Sequence, residues 1–427
     1  MLSLSFHLLS MRIHHSPGTD LCLVPTVWIK EADMAQEQRA ALTPPPDPEA
    51  QRLAAVDRAT LTPLVRQALD REQAEVTAWA YKPIYGGAGT GGSIYRFSGV
   101  ARGGHEEIPW SLILKAIRAI PERQSPSSPG YWRREAEAYQ SGLLYDLPGG
   151  ITAPRCYDVV EWGGDACWLW LEEVEDRFGA WPIEHYGVVA RHLGQLNGTY
   201  LAGRPLPAAP WLSKGWMRSY VERAAPIFDR LRGSLDHPLI RRLLPGDAAD
   251  GLLACWESRE RYLSALERLP RTFCHLDAFR RNLFARQGPD GREETVAVDW
   301  SYTGIASIGE ELVPLVGATL SFFEVGPDRA QELDQIVFDG YVQGLRDAGW
   351  GGDPRLARLG YLAGLQIRYN LGGLGEGLVV VFDERQHAGS ERAFGRPMEE
   401  IMDILAAVAA QYAVLCREVD TLVDTVA

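Results

Sequence analysis

Six cysteines stand in 427 residues (Cys22, Cys156, Cys167, Cys255, Cys274 and Cys416), and no two of them form a Cys-x-x-Cys pair. That argues against a disulfide framework and against a zinc ribbon, and reads as reduced thiols in a cytoplasmic protein. The nine histidines are scattered, so no Cys/His metal cluster is visible either. No apolar run reaches the roughly 18 residues that cross a bilayer, so no membrane partner is expected. Basic residues are in deficit: 43 Lys and Arg face 56 Asp and Glu, for a net charge of -13. A nucleic-acid-binding surface has the opposite sign, so no nucleic-acid partner is expected. Internal repeats and heptads are also lacking. The start, MLSLSFHLLS, is apolar but has no basic stretch before it and no small-residue cleavage site after it. It reads as a tail or as an upstream start, with Met34 as the other start, rather than a signal peptide.

What is present suffices for a large two-lobed fold or two domains, since 46% of the residues are hydrophobic. The most informative stretch is RTFCHLDAFRRNLFARQGPDGREETVAVDW, residues 271–300. It holds His275-x-Asp277, then Asn282, a polar Gly/Pro/Asp turn, a strand-like Val296-Ala297-Val298 and Asp299-Trp300. One carboxylate there is placed to accept a proton. An amide oxygen and a second carboxylate are hard ligands of the kind Mg²⁺ takes. Phosphoryl transfer requires that set.

The pattern H-x-D-x-x-x-x-N, followed by a hairpin and D-W, resembles the aminoglycoside phosphotransferase and choline-kinase-like small-molecule kinases. Protein kinases carry the same loop as H-R-D-x-x-x-x-N with D-F-G. Trp300 after Asp299, with no glycine next and no A-P-E triplet downstream, matches the small-molecule branch better. The resemblance implies an α+β, bilobal protein-kinase-like fold, with a small antiparallel-sheet N-lobe and a larger, mostly helical C-lobe. It implies ATP and Mg²⁺ as cofactors and a small-molecule hydroxyl compound as the acceptor partner. Asp277 would be the catalytic base, Asn282 and Asp299 the metal ligands, and His275 a brace of the loop. Arg281 stands directly before the Asn, where a cation would meet the γ-phosphoryl charge, pair with an acidic acceptor, or be satisfied by C-lobe carboxylates; Arg280 shares the question.

Upstream, Gly87, Gly89 and Gly92 fit G-x-G-x-x-G. The flanking Ile94, Tyr95 and Phe97 favour strand–turn–strand, whereas a dinucleotide fingerprint must open a helix. Without side chains, such a loop lets backbone N–H groups approach phosphate oxygens. The run SLILKAI (111–117) reads as a strand with Lys115 inside it, a costly place for an unpaired ammonium. In the kinase reading Lys115 holds the α- and β-phosphates and needs an acidic partner on the next helix, 131–145. Glu135 falls at that position, with Glu137 as the alternative. Strands are expected near 75–84, 157–161 and 167–171. Leu171-Glu172-Glu173-Val174 resembles the inter-lobe hinge, which places Glu172 beside the adenine.

The expected organisation is a flexible leader over 1–52, an N-lobe over 53–176 and a C-lobe over 177–427 that carries the catalytic loop, metal site and acceptor pocket. Helices are expected over 53–69, 216–231, 239–244, 252–269, 329–348, 355–371 and 397–424. Val189, Leu193, Leu196 and Tyr200 mark one more. Glu311, or Glu310, is expected to brace the backbone of the catalytic loop. Cys274 reads as a small core residue. The function expected is ATP-dependent transfer to a hydroxyl of an aminoglycoside, amino sugar or amino alcohol. The alternative is a catalytically inactive, kinase-like nucleotide-binding protein.

Overall fold

A computed structural model describes residues 10–12, 24–27, 47–84, 92–126, 128–288 and 290–426. Two short strands, β1 (Ser10–Arg12) and β2 (Val24–Val27), pair antiparallel within the stretch read as leader. The first helix, α1 (Pro48–Ala54), also begins inside that stretch, because the Asp47 carboxylate caps it through Glu49 N–H and Pro48 occupies its first turn. The single helix expected over 53–69 is two. The chain stops at Ala55 and restarts as α2 (Arg58–Leu69), where Asp57 accepts from Thr60 N–H.

Next come β3 (Glu75–Ile84), β4 (Ser93–Gly103), β5 (Glu106–Arg118), helix α3 (Arg134–Gln140), the short strand β6 (Ile151–Thr152), β7 (Cys156–Trp162) and β8 (Ala166–Leu171). Five of these strands form one antiparallel sheet in the order β3-β4-β5-β8-β7. Its period of two decides the site. Leu112, Leu114 and Ala116 of β5, with Trp168 and Trp170 of β8, pack on the same side as Leu61, Leu64 and Val65 of α2. Each buried aliphatic of α2 contributes roughly 1.5–3 kcal/mol. Ile117, Cys167, Leu169 and Leu171 belong to the other core, which faces the helices downstream. Lys115 lies between Leu114 and Ala116, so the pleat turns it to that second side.

The rest is mainly helical: α4 (Ile183–Leu201), α5 (Trp216–Arg232), α6 (Pro238–Leu243), α7 (Ala248–Glu257), α8 (Arg259–Arg268), α9 (Leu312–Ser321), α10 (Ala330–Asp347), α11 (Pro354–Leu365), α12 (Leu374–Phe382), α13 (His387–Phe394), α14 (Met398–Leu415) and α15 (Val419–Val426). The helix expected over 252–269 breaks at Ser258, and the one over 397–424 breaks near Cys416. The one over 355–371 changes at Gln366 into a π-helical stretch, Gln366–Gly373. Helices α4 and α10 lie unusually close: a Cβ on Gly194 would stand 2.2 Å from the Tyr341 carbonyl oxygen, and one on Gly344 2.0 Å from that of Arg191. That contact fixes α4, whose Asn197 side chain donates to the Phe273 carbonyl (2.8 Å) and accepts from Tyr341 (2.7 Å).

Two small sheets complete the frame. Strand β10 (Arg271–Cys274) pairs with β13 (Gly304–Ser307), which pairs with β9 (Ser213–Lys214). Strands β11 (Leu283–Gln287) and β12 (Glu293–Ala297) form the expected hairpin, and β6 joins it in parallel. No helix among the described residues is long and apolar enough to cross a membrane.

Candidate active site

Three residues distant in sequence meet at Lys115. Its Nζ lies 2.5 Å from Glu135 Oε2 and 2.8 Å from Asp299 Oδ1, with the Lys115 side chain 5% exposed. Burial alone would push this ammonium down. The two carboxylates outweigh it and hold Lys115 above its ordinary value. Glu135 is raised by the same burial, against the pull of Lys115, whereas Asp299 ends below the usual carboxylate range because Lys115 outweighs its burial. Glu135 Oε1 also accepts from Trp300 N–H at 3.3 Å. Glu137 points elsewhere, to the Tyr131 hydroxyl at 2.7 Å. Asp299 itself is left-handed (φ 61°, ψ 65°), a conformation that costs a non-glycine residue about 1–3 kcal/mol.

The loop after β10 is equally constrained. His275 accepts from Asp277 N–H at Nδ1 (3.2 Å) and donates from Nε2 to the Val298 carbonyl (2.9 Å). Burial lowers it to about 4, so it is neutral and serves as a brace. Leu276 is the second left-handed residue, at φ 67°. The Glu311 carboxylate at the start of α9 accepts from His275 N–H (2.8 Å) and Leu276 N–H (3.0 Å), so the loop brace is Glu311. Glu310 instead caps Ser307 N–H. Burial lifts Glu311 to about 7 against the two backbone donors. A glutamine has one acceptor oxygen where the carboxylate has two. Glu311→Gln is therefore expected to strand one buried N–H, at about 1–3 kcal/mol, seen as a lower melting temperature.

Asp277 is mostly buried, and that desolvation raises it, with Arg368 pulling it back. Its Oδ1 accepts from Arg368 Nη2 (2.7 Å) and its Oδ2 from Asn282 Nδ2 (3.1 Å). Asn282 Nδ2 also donates to the Asp277 carbonyl, and the Asn282 carbonyl accepts from Val298 N–H at 2.8 Å. The last bond and the β11–β12 pairing of Leu283 with Ala297 bring Asn282 beside Asp299.

Other expected residues lie elsewhere. Arg281 donates from Nε to Glu324 (3.2 Å) and stacks on Phe322, with its guanidinium carbon 4.2 Å from the ring centre. Its guanidinium is thus satisfied by a carboxylate of the helical part. Arg281→Ala is accordingly expected to keep turnover within about twofold and to cost about 1.5–3 kcal/mol of stability, by thermal melting. Arg280 pairs with Asp176 at 2.5 Å and lies over Trp181, tying the loop to the crossing between sheet and helices. Glu172 is committed to structure. Its N–H donates to the Arg155 carbonyl (2.8 Å), and its carboxylate takes Arg155 N–H and Arg286. Its N–H and its carboxylate are thus both engaged within the protein. Gly87 and Gly89 lie outside the described residues. At Gly92 a Cβ would stand 2.6 Å from the Ala116 carbonyl oxygen, so the need for glycine there is close strand packing. Cys274 is core. Sequence reading missed Arg368 and Arg134; their partners lie 91 and up to 167 residues away.

The donor set fits Mg²⁺. No group of three His, Cys, Asp or Glu exists among the described residues. One carboxylate, Asp299, and one amide oxygen, of Asn282, are the sparse protein set that Mg²⁺ uses when phosphate oxygens and water supply the rest. Because Asn282 Nδ2 is engaged by Asp277, its Oδ1 would be the atom that faces a metal ion.

No protein-family model and no curated protein matches the chain. Solved structures do. An amicoumacin kinase in complex with AMP-PNP and Ca²⁺ is 14% identical, covers 87% of this chain and 96% of its own, and has a TM-score of 0.48. An aminoglycoside phosphotransferase from Alicyclobacillus acidocaldarius is 14% identical over 91% of this chain and 99% of its own, at 0.44. A Plasmodium vivax ethanolamine kinase is 11% identical over 80% and 82%, at 0.42. At these values the likeness is one of fold alone. The sheet order, the Lys115–Glu135 pair on its third strand and the helix after it, and Asp299-Trp300 beyond the hairpin make this a bilobal, protein-kinase-like α+β fold.

Proposed function

We propose that the chain is an ATP-dependent phosphotransferase that moves the γ-phosphoryl group to a hydroxyl of a small molecule, of aminoglycoside, amino sugar or amino alcohol type. One observation carries the reading: Lys115 contacts both Glu135 and Asp299, from three separate segments, while Asn282 bonds to Asp277 and, through Val298 N–H, to the residue before Asp299. Asp277 orients the acceptor hydroxyl and receives its proton. The acceptor oxygen forms its bond to the γ-phosphorus as the bond to the bridging oxygen breaks, and ADP leaves with that electron pair. Lys115, fixed by Glu135, meets the α- and β-phosphates, which is mainly positioning and charge neutralisation. Mg²⁺, held by Asn282 and Asp299, would supply charge neutralisation on the β- and γ-phosphates. In this reading residues 53–176 form the nucleotide lobe and 177–427 the acceptor lobe, and the unpaired cysteines fit a cytoplasmic setting.

The test is an ADP-release screen across aminoglycosides, amino sugars, amino alcohols and neutral sugars, with and without EDTA. Mg²⁺-dependent release that at least one acceptor stimulates is the expected result. Absence of release with every acceptor, together with no thermal shift by ATP and Mg²⁺, would reject the proposal.

A further inference from the structure

The strained turn at Leu276 is gripped from two sides. Glu311 takes its N–H, and Arg368 Nη1 donates to its carbonyl oxygen at 2.9 Å. The same guanidinium reaches Asp277 Oδ1 through Nη2 at 2.7 Å, so one planar group binds a backbone carbonyl and the adjacent carboxylate together. Its own place is fixed by aromatic faces. The guanidinium carbon lies 4.5 Å from the Trp216 ring centre, 5.4 Å from that of Tyr369 and 5.7 Å from that of Tyr220. The side chain is 10% exposed. Arg368 sits in the π-helical stretch Gln366–Gly373, and π-helical insertions re-aim side chains and occur often at functional sites.

We propose that Arg368 is a positioning residue for phosphoryl transfer: it locks the Leu276–Asp277 turn so that the Asp277 carboxylate is held in one orientation. The proposal rests on the kinase reading for its consequence in turnover, but its geometric claim stands apart from that reading. Arg368 acts through Asp277 and is assigned no contact with nucleotide or acceptor. A bidentate grip explains why arginine is needed: lysine has a single nitrogen, which reaches the carbonyl or the carboxylate but does not present a planar fork to both.

The experiment compares the full-length parent with Arg368→Gln, Arg368→Ala and Arg368→Lys. It measures ATP·Mg²⁺ turnover as ADP release, with water as acceptor and with any acceptor the screen identifies, and amide hydrogen exchange over residues 275–282. The expected result for Arg368→Gln is a fall in kcat by about 100-fold, the scale of an ångström-level misplacement, with KM for ATP within about threefold. Exchange should accelerate at the amides of 275–282 and not in α4 or β5. Methylguanidine should restore turnover to Arg368→Ala with saturation, and Arg368→Lys should recover only a small part of the loss. If Arg368→Gln does not fold, Arg368→Lys carries the same exchange and kinetic measurements. Unchanged exchange over 275–282, turnover within about twofold of the parent, or a raised KM with intact kcat would overturn the assignment. A parent without ADP release, but with loop-confined exchange in the variants, would reject the kinase reading and leave the positioning role standing.

Discussion

Asp277→Asn is expected to lower turnover by about two or more decades and, in the same variant, to destabilise the fold. The two effects have different causes. Turnover falls because an amide does not take the hydroxyl proton, although its shape matches the carboxylate. Stability falls because the largely buried Arg368 has Asp277 as its ionic partner, 2.7 Å away. Breaking such a pair from one side leaves an uncompensated charge, at up to about 3–5 kcal/mol. A double variant separates them. In Asp277→Asn/Arg368→Met neither charge remains, and methionine keeps an apolar contact with Trp216 and Tyr369. Its melting temperature should recover toward the parent while its turnover stays as low as that of Asp277→Asn. Calorimetry and ADP release read the two quantities independently. Turnover of Asp277→Asn within tenfold of the parent would remove Asp277 from the chemistry.

The division between what was legible in the sequence and what was not follows the range of the interactions. Lys115 was legible because a charge inside SLILKAI breaks a period-two apolar pattern, and the structure puts it on the side of the sheet away from α2. Glu135 was legible because a buried ammonium requires a carboxylate and the next helix supplies one. Asp277, Asn282 and Asp299 lie within 23 residues on a loop and one hairpin, so spacing alone located them. Helix breaks were less visible, since the apolar period continues across Asp57 and Ser258 and only a capping side chain or a lost bond stops the helix there. At Glu172 the motif named a place in the fold and gave no sign that Arg155 and Arg286 engage its N–H and carboxylate. Arg368 left no local signal: its partner is remote, and the π-helical stretch that aims it shows no break in the pattern over 355–371. For Arg281 the sequence left a phosphoryl contact and a C-lobe carboxylate both open; the partners present, Glu324 and Phe322, lie some forty residues later and gave no local signal.

Arg134 carries the second large expectation. It is wholly buried, and its guanidinium donates to four backbone carbonyls. Nε donates to the Trp211 carbonyl (2.7 Å), Nη1 to those of Pro129 (2.7 Å) and Ser301 (2.8 Å), and Nη2 to that of Ser128 (2.7 Å). Burial lowers it only to about 10, so it remains charged. The next residue is Glu135, and Ser301 is two residues past Asp299, so this guanidinium joins the two carboxylates that hold Lys115. Arg134→Met preserves bulk and removes every donor. The Trp211 and Ser301 carbonyls are then unpaired in the interior, at about 1–3 kcal/mol each, while those of Ser128 and Pro129 are partly open to water. A loss of about 2–6 kcal/mol corresponds to a fall in melting temperature of about 3–8 °C for a chain of this size. Because α3 loses its tether, the affinity for ATP should weaken more than that of Glu311→Gln, whose lost bond lies in the catalytic loop. Arg134→Lys should rescue little, since a single nitrogen does not reach carbonyls on three segments. A melting temperature for Arg134→Met within about 2 °C of the parent would mean that water replaces the guanidinium at all four oxygens, and the tether between α3 and the Asp299 turn would have to be sought in the Glu135–Trp300 bond alone.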